Sequence, residues 1–279
     1  MSKIRKFMKH KLAAISTVFL ASMIFLALLA PIIAPYDPNQ IVGGFSEPPS
    51  FSFILGTDQV GRDVFSRLLY GTRISLFVGF AAAFLSTSVG IIIGLVSGFF
   101  GGWIDMILMR MTDVVMSFPY ILLVLVAAAV FEPGLLNMIL ILGFVDWPGA
   151  ARLVRANVLS IRETNYVQAS KVAGMPAPYL LFSEILPNAL PPVLVYSTSI
   201  VAISMLDEAA LSFLGMGIQP PDASLGNMLN GAQSLTILTS KPWLWIPPGV
   251  LLILLVMSTY FIGDALRDAF DPSTKKEKN

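Results

Sequence analysis

Two acids stand side by side in an otherwise apolar run, Met205-Leu206-Asp207-Glu208-Ala209-Ala210-Leu211-Ser212. A carboxylate inside a membrane span costs at least about 2.5 kcal/mol, so it normally faces protein or a watery cavity. Ser197, Ser204, Glu208 and Ser212 are spaced by seven, four and four, which places them on one face of a helix. Either that face lines or borders a watery cavity, or Glu208 is a hydrogen-bonded structural acid at a helix interface or one snorkelling to the outer boundary. Asp207 falls on a neighbouring face. Asp146, next to Trp147-Pro148, reads as an acid reaching interfacial water near the end of another span.

Other reactive chemistry is scarce. The chain has no cysteine and one histidine, His10, which removes disulfides, thiolate nucleophiles, histidine-rich metal sites and a Ser-His-Asp triad together. No Gly-Lys pair occurs, so no phosphate-cradling loop of the G-x-x-x-x-G-K-[ST] type can form. His-Glu-x-x-His and G-x-S-x-G are absent too. No enzymatic role, bound cofactor or metal is expected, and a net charge of +1 gives no reason for a nucleic-acid partner.

The second chemically distinct region is residues 152–187, where Arg152, Arg155, Arg162, Glu163, Lys171 and Glu184 interrupt the apolar chain. Residues 154–173 lack Gly and Pro and repeat apolar side chains at three- and four-residue steps, which predicts a helix. Gly174, with Pro176 two residues on, should end it. A short helix over 176–186, closed by Pro187, should follow. Two short helices at a sharp bend make a compact knob, a polar handle on a membrane protein.

The elements that position these residues are apolar. Hydrophobic residues make up 56% of the 279-residue chain and charged residues 13%, against about 25% charged in globular chains, and the mean hydropathy is +0.77. Basic residues Lys3, Arg5, Lys6, Lys9 and Lys11 precede about twenty apolar residues, 12–31, long enough to cross a hydrocarbon core of about 30 Å. A secretory signal has a shorter apolar region, so a retained first span over 12–35 is expected. Residues 36–73 form a polar loop with a short helix near 63–70. Five further spans lie near 74–99, 118–131, 135–151, 191–214 and 243–265, within a core of 74–266. Residues 103–116 should make a short inner turn, 215–241 an outer loop with a helix near 225–232, and 267–279 a mobile polar tail. In the second span Ala82, Ser86, Gly90, Gly94 and Gly98 recur every fourth residue. Such a strip either lets helices approach closely in lipid or marks a flexible helix.

Six spans put both termini on one side of the membrane. With the termini inside, inner segments hold 14 Lys and Arg and outer segments only Arg62, Arg67, Arg73 and Lys241. Positive charge collects on the cytoplasmic side, so 1–11, 152–190 and 267–279 are expected there.

Three stretches resemble one family. Gln168-Ala169-Ser170-x-x-x-Gly174, with Ile185-Leu186-Pro187 downstream, is similar to the "EAA" coupling loop of permease subunits in ATP-binding-cassette importers, with Gln168 where the family usually has Glu and Ser170 where it usually has Ala. Leu55-Gly56-Thr57-Asp58, Gly61-Arg62-Asp63 and Ser66-Arg67 resemble the C-type permease of dipeptide, oligopeptide and nickel importers. The segment 205–215 around Glu208 is similar as well. The resemblance implies an all-α, six-span, type I importer permease in the plasma membrane of a prokaryote. Gln168, Ala169, Ser170, Gly174, Leu186 and Pro187 would couple it to an ATPase, and Glu208, Ser204 and Ser212 would border the translocation path. Implied partners are a second homologous permease, two ATPases that use ATP and Mg, an external solute-binding protein and the lipid bilayer. The implied solutes are peptides, with nickel complexes or sugars as alternatives. A gradient-driven carrier or channel and a non-transporting scaffold are the rival classes.

Overall fold

The computed structural model describes residues 10–270; the basic segment 1–9 and the tail segment 271–279, read above as polar flanks, lie outside them. In chain order the helices are α1 (Lys11–Leu28), α2 (Ala30–Ile33), α3 (Val64–Phe100), α4 (Gly102–Met116), α5 (Tyr120–Val130), α6 (Leu135–Arg162) and α7 (Asn165–Val172). They continue as α8 (Ala177–Phe213), α9 (Leu225–Asn230), α10 (Leu235–Ser240) and α11 (Ile246–Phe270). Among the described residues the only β pairing is two isolated bridges. Five stretches are long and apolar enough to cross a membrane, those containing α1, α3, α6, α8 and α11, and the α4–α5 pair, bent by 84°, brings the number to six if the pair is one broken span rather than a re-entrant loop.

The loop expected over 36–73 ends at Asp63 instead, because Asp63 caps α3. Its Oδ2 accepts from the backbone N and the Oγ of Ser66, both at 2.7 Å, which satisfies donors that a helix start leaves free. Residues 64–73 are therefore the opening turns of a 37-residue helix, about 55 Å long. The residues just before it fold into a staple. Asp58 Oδ1 accepts from the backbone of Val60 and Arg62, each at 2.9 Å, and its Oδ2 takes Arg62 Nε at 2.7 Å. Arg67, 3% exposed, donates Nη1 to Pro38 O at 3.0 Å and Pro221 O at 3.2 Å. The loop after α2 is thereby tied to the loop after α8.

The small-residue strip is a packing face. A Cβ at Gly90 would sit 2.4 Å from Ala150 Cβ, one at Gly94 2.6 Å from Ala151 O, and one at Gly98 2.8 Å from Val158 Cβ. No larger side chain fits there, so α3 and α6 run backbone against backbone. The expected inner turn 103–116 is instead the 15-residue α4, with Thr112 its one buried residue. Pro119 starts α5 after the bend, since a proline disfavours helical geometry in the residue before it.

The handle also departs from expectation. The fourth span does not stop near residue 151 but continues as α6 to Arg162, because the change from apolar to polar surface does not interrupt backbone hydrogen bonding. The helix expected over 154–173 breaks at Glu163-Thr164. There Gln168 Nε2 donates to Arg162 O at 2.9 Å, taking the carbonyl that a continuing helix would use. Pro187 does not close a helix either: α8 runs through Pro187, Pro191 and Pro192. The chain winds as a π-helix over Leu180–Ile185 just before the first of them, and such widened turns accommodate a proline's missing donor. Leu95, Val154, Val158, Val167, Ile185, Ala189 and Val193 form a core at the root of the handle.

Candidate functional site

The tip of the handle is a defined turn. Gly174 N donates to Lys171 O at 3.1 Å and Met175 N to Ser170 O at 3.1 Å, the paired bonds of a Schellman motif. Gly174 sits at φ +80°, where a side chain is strained. Gln168, Ala169, Ser170 and Gly174 come together on α7 and this turn, whereas Leu186 and Pro187 lie further back in α8. Val167, Leu180 and Ile185, all below 5% exposed, hold the knob to the body. Ser170 Oγ donates to Glu184 Oε1, bracing α7 against α8. The knob presents exposed Val172, Met175, Tyr179 and Phe182. A Cβ added at Gly174 would meet nothing within 4 Å, so none of the described residues fills the space in front of it.

The serine face of α8 is enclosed. Glu208 is fully buried; its carboxylate accepts from Ser75 Oγ of α3 at 2.7 Å and Ser212 Oγ at 2.8 Å. Those hydroxyls in turn accept from Leu225 N at 3.2 Å and Ile218 N at 3.0 Å. Glu208 therefore knots α3, α8 and the loop leading into α9. Ser204 is also fully buried, its hydroxyl without a hydrogen-bond partner among the described residues. Ser197 turns back to Leu194 O at 2.8 Å.

Asp207, one residue earlier, meets different neighbours. The Tyr120 hydroxyl donates to its Oδ2 at 2.6 Å and lies 3.4 Å from Asp146 Oδ2, so α5, α6 and α8 converge on one phenol. Both aspartates are partly exposed, and among the described residues neither forms an ion pair. A cavity of about 290 Å³ opens beside Asp146, lined also by Phe118, Tyr120, Pro148 and Tyr196 among others. This cluster was not foreseen. Its signal was present in two acids inside apolar runs, but only the fold shows that one tyrosine joins them.

Comparison with known proteins gives the same architecture an ancestry. Residues 90–276 match the family described as binding-protein-dependent transport system inner membrane component, and residues 3–49 match the N-terminal TM domain of oligopeptide transport permease C. A Brucella suis protein that carries the name of a peptide permease is 42% identical over 96% of this chain and 89% of its own. The dipeptide transport system permease protein DppC of Haemophilus influenzae is 39% identical over 97% of this chain and 93% of its own. Among solved structures, the inward-facing MetNI methionine ABC transporter superposes with a TM-score of 0.59 at 21% identity, covering 74% of this chain and 97% of the matched one. At that identity the likeness speaks for the fold alone. This chain belongs to the family of binding-protein-dependent transport system inner membrane components, as an all-helical, multi-pass permease subunit of an ABC importer.

Proposed function

We propose that the chain imports peptides as the C-type half of a permease pair, working with a second homologous permease, two cytoplasmic ATPases and an external solute-binding protein. The observation that carries this reading is the knob: a short, rigidly rooted helix with a Schellman turn and an exposed apolar rim at Val172, Met175, Tyr179 and Phe182. Such a projection suits a helix-in-groove contact. The excess of Lys and Arg in the segments on the knob's side supports a cytoplasmic knob and cytoplasmic termini. The peptide assignment is supported by the names of relatives.

ATP and Mg belong to the partner subunits in this reading. ATP-driven closure of the ATPases moves the docked knobs, and the helices shift between inward- and outward-facing states that nucleotide biases. Within this chain the path runs past Asp146 and Tyr120, which line a cavity, and Asp207, which the same phenol bonds. Glu208, with Ser204 and Ser212 beside it, holds the wall together rather than forming its surface.

The test is ATP-dependent peptide uptake by the reconstituted complex isolated through this chain. ATPase, second permease and binding protein should co-purify. Gly174→Asp should lower uptake about tenfold, within the usual range of coupling factors, while ATP hydrolysis continues. Gly174→Asn tolerates the same backbone and should do less, which separates charge at the contact from strain. Uptake by this chain alone on an ion gradient, or intact coupling in Gly174→Asp, would overturn the reading.

A further inference from the structure

The arginines of the handle are not merely a basic surface; three of them grip neighbouring helices. Arg152 Nη2 donates to Asp113 Oδ1 at 2.6 Å, and Arg162 Nη1 donates to Gly98 O, at the end of α3, at 2.8 Å. Arg155 holds Asp105 with two parallel bonds, Nε to Oδ1 at 2.6 Å and Nη2 to Oδ2. Asp105 also accepts from Ser97 Oγ of α3, a fully buried serine.

The pairs are unequal. Arg152 and Asp113 are each 47% exposed, whereas Asp105 is 17% and Arg155 33% exposed. Exposed pairs contribute little, but a shielded bidentate Arg–carboxylate pair fixes geometry as well as adding energy. Asp105 is thus the acid at which α3, α4 and α6 meet.

Apart from the exposed Arg152–Asp113 pair, α4 has little buried packing within this chain. Thr112 is its one buried residue, while Trp103, Met106, Met111 and Val114 are exposed. Beyond its far end and the 84° bend the next helix opens with Tyr120, whose hydroxyl bonds Asp207. A continuous chain of contacts therefore runs from the knob through α6 to Arg155, Asp105, α4, Tyr120 and the intramembrane acids.

We propose that α4 is the lever that carries movement of the docked knob to the Asp146–Asp207 surface, with Asp105, clamped by Arg155 and Ser97, as its positioning residue. The proposal rests on the reading of α7 and Gly174 as the ATPase-coupling knob. Coupling between distant sites needs an element with two discrete arrangements that both sites bias. With Thr112 its one buried residue in this chain, α4 has little core of its own to repack when it shifts with α6. In this mechanism α6 and α4 move together, and the Arg155–Asp105 contact stays closed throughout the cycle.

The test uses the whole reconstituted complex and reads peptide imported per ATP hydrolysed. Asp105→Asn should lower that ratio about tenfold or more, with hydrolysis continuing. Exchanging the charges, Asp105→Arg with Arg155→Asp, should recover much of it. The chain contains no cysteine, so Asp105→Cys with Arg155→Cys can be joined selectively by a short bis-thiol reagent. Joining should raise the ratio over that of the unjoined pair, an outcome a purely structural loss would not give. Normal import per ATP in Asp105→Asn, or a joined pair no better than the unjoined one, would overturn the lever. Coupling that survives Gly174→Asp would remove the knob reading itself. Uncoupling by Gly174→Asp with an indifferent Asp105→Asn would remove only the lever.

Discussion

Asp207 and Glu208 are neighbours on one helix, carry the same functional group and have opposite surroundings. One helical step separates them, about 100° around the axis. On one side Glu208 meets two serine hydroxyls, each of which also accepts from a backbone N–H, and the network closes with no contact to solvent. On the other side Asp207 meets a single phenol shared with a second aspartate, one that lines a cavity. An acid in a membrane span is a functional candidate by default. The two differ in their partners, a closed hydrogen-bond network for Glu208 and a shared phenol for Asp207, and the proposed roles of clamp and solute-facing acid stand on that difference.

The largest expected effect is on the closed side. Glu208→Ala strips the acceptor from two buried hydroxyls, and each unsatisfied group costs about 1–3 kcal/mol. The variant should lose about 3 kcal/mol or more of stability, seen as a lower unfolding temperature of the solubilised complex. Glu208→Gln keeps one acceptor oxygen and should lose less. An unchanged melting profile in Glu208→Ala would break the comparison. Next in size is the open side. Asp207→Asn should leave the melting profile nearly unchanged while uptake falls about tenfold, because hydrogen bonds to charged groups are worth about 1.5 kcal/mol or more. Normal uptake in Asp207→Asn would move the path elsewhere.

How much of this was readable beforehand depends on distance along the chain. The glycine stop at 174 and the four-residue strip from Ala82 to Gly98 are local patterns, and each does in the fold what its spacing implies. The alternatives for Glu208 could not be separated from the helical period alone. Period says which residues share a face, not which helix covers it, and Ser75 lies 133 residues away. The same holds for Asp146, expected at interfacial water and found sharing a hydroxyl with Asp207. The break after Arg162 depends on one side chain, Gln168, reaching back to a carbonyl. The passage of α8 through its prolines depends on a π-wound turn, which composition does not announce.

The smallest predicted effect separates the open site from a fortuitous contact. Tyr120→Phe keeps the ring and its packing and removes only the O–H that holds Asp207 and approaches Asp146. The Asp207 charge survives this change and only its placement is lost, so uptake should fall less than in Asp207→Asn, about fivefold, or about 1 kcal/mol, with little change in melting. The informative measurement is the double variant with Asp207→Asn. If the phenol acts by holding Asp207 in place, the two losses share one interaction and should not multiply, because residues in one hydrogen-bond network couple by about 0.5–3 kcal/mol. Losses that multiply would mean that Tyr120 and Asp207 act separately. In that case the phenol would not be the joint through which α5 reaches the acid on α8.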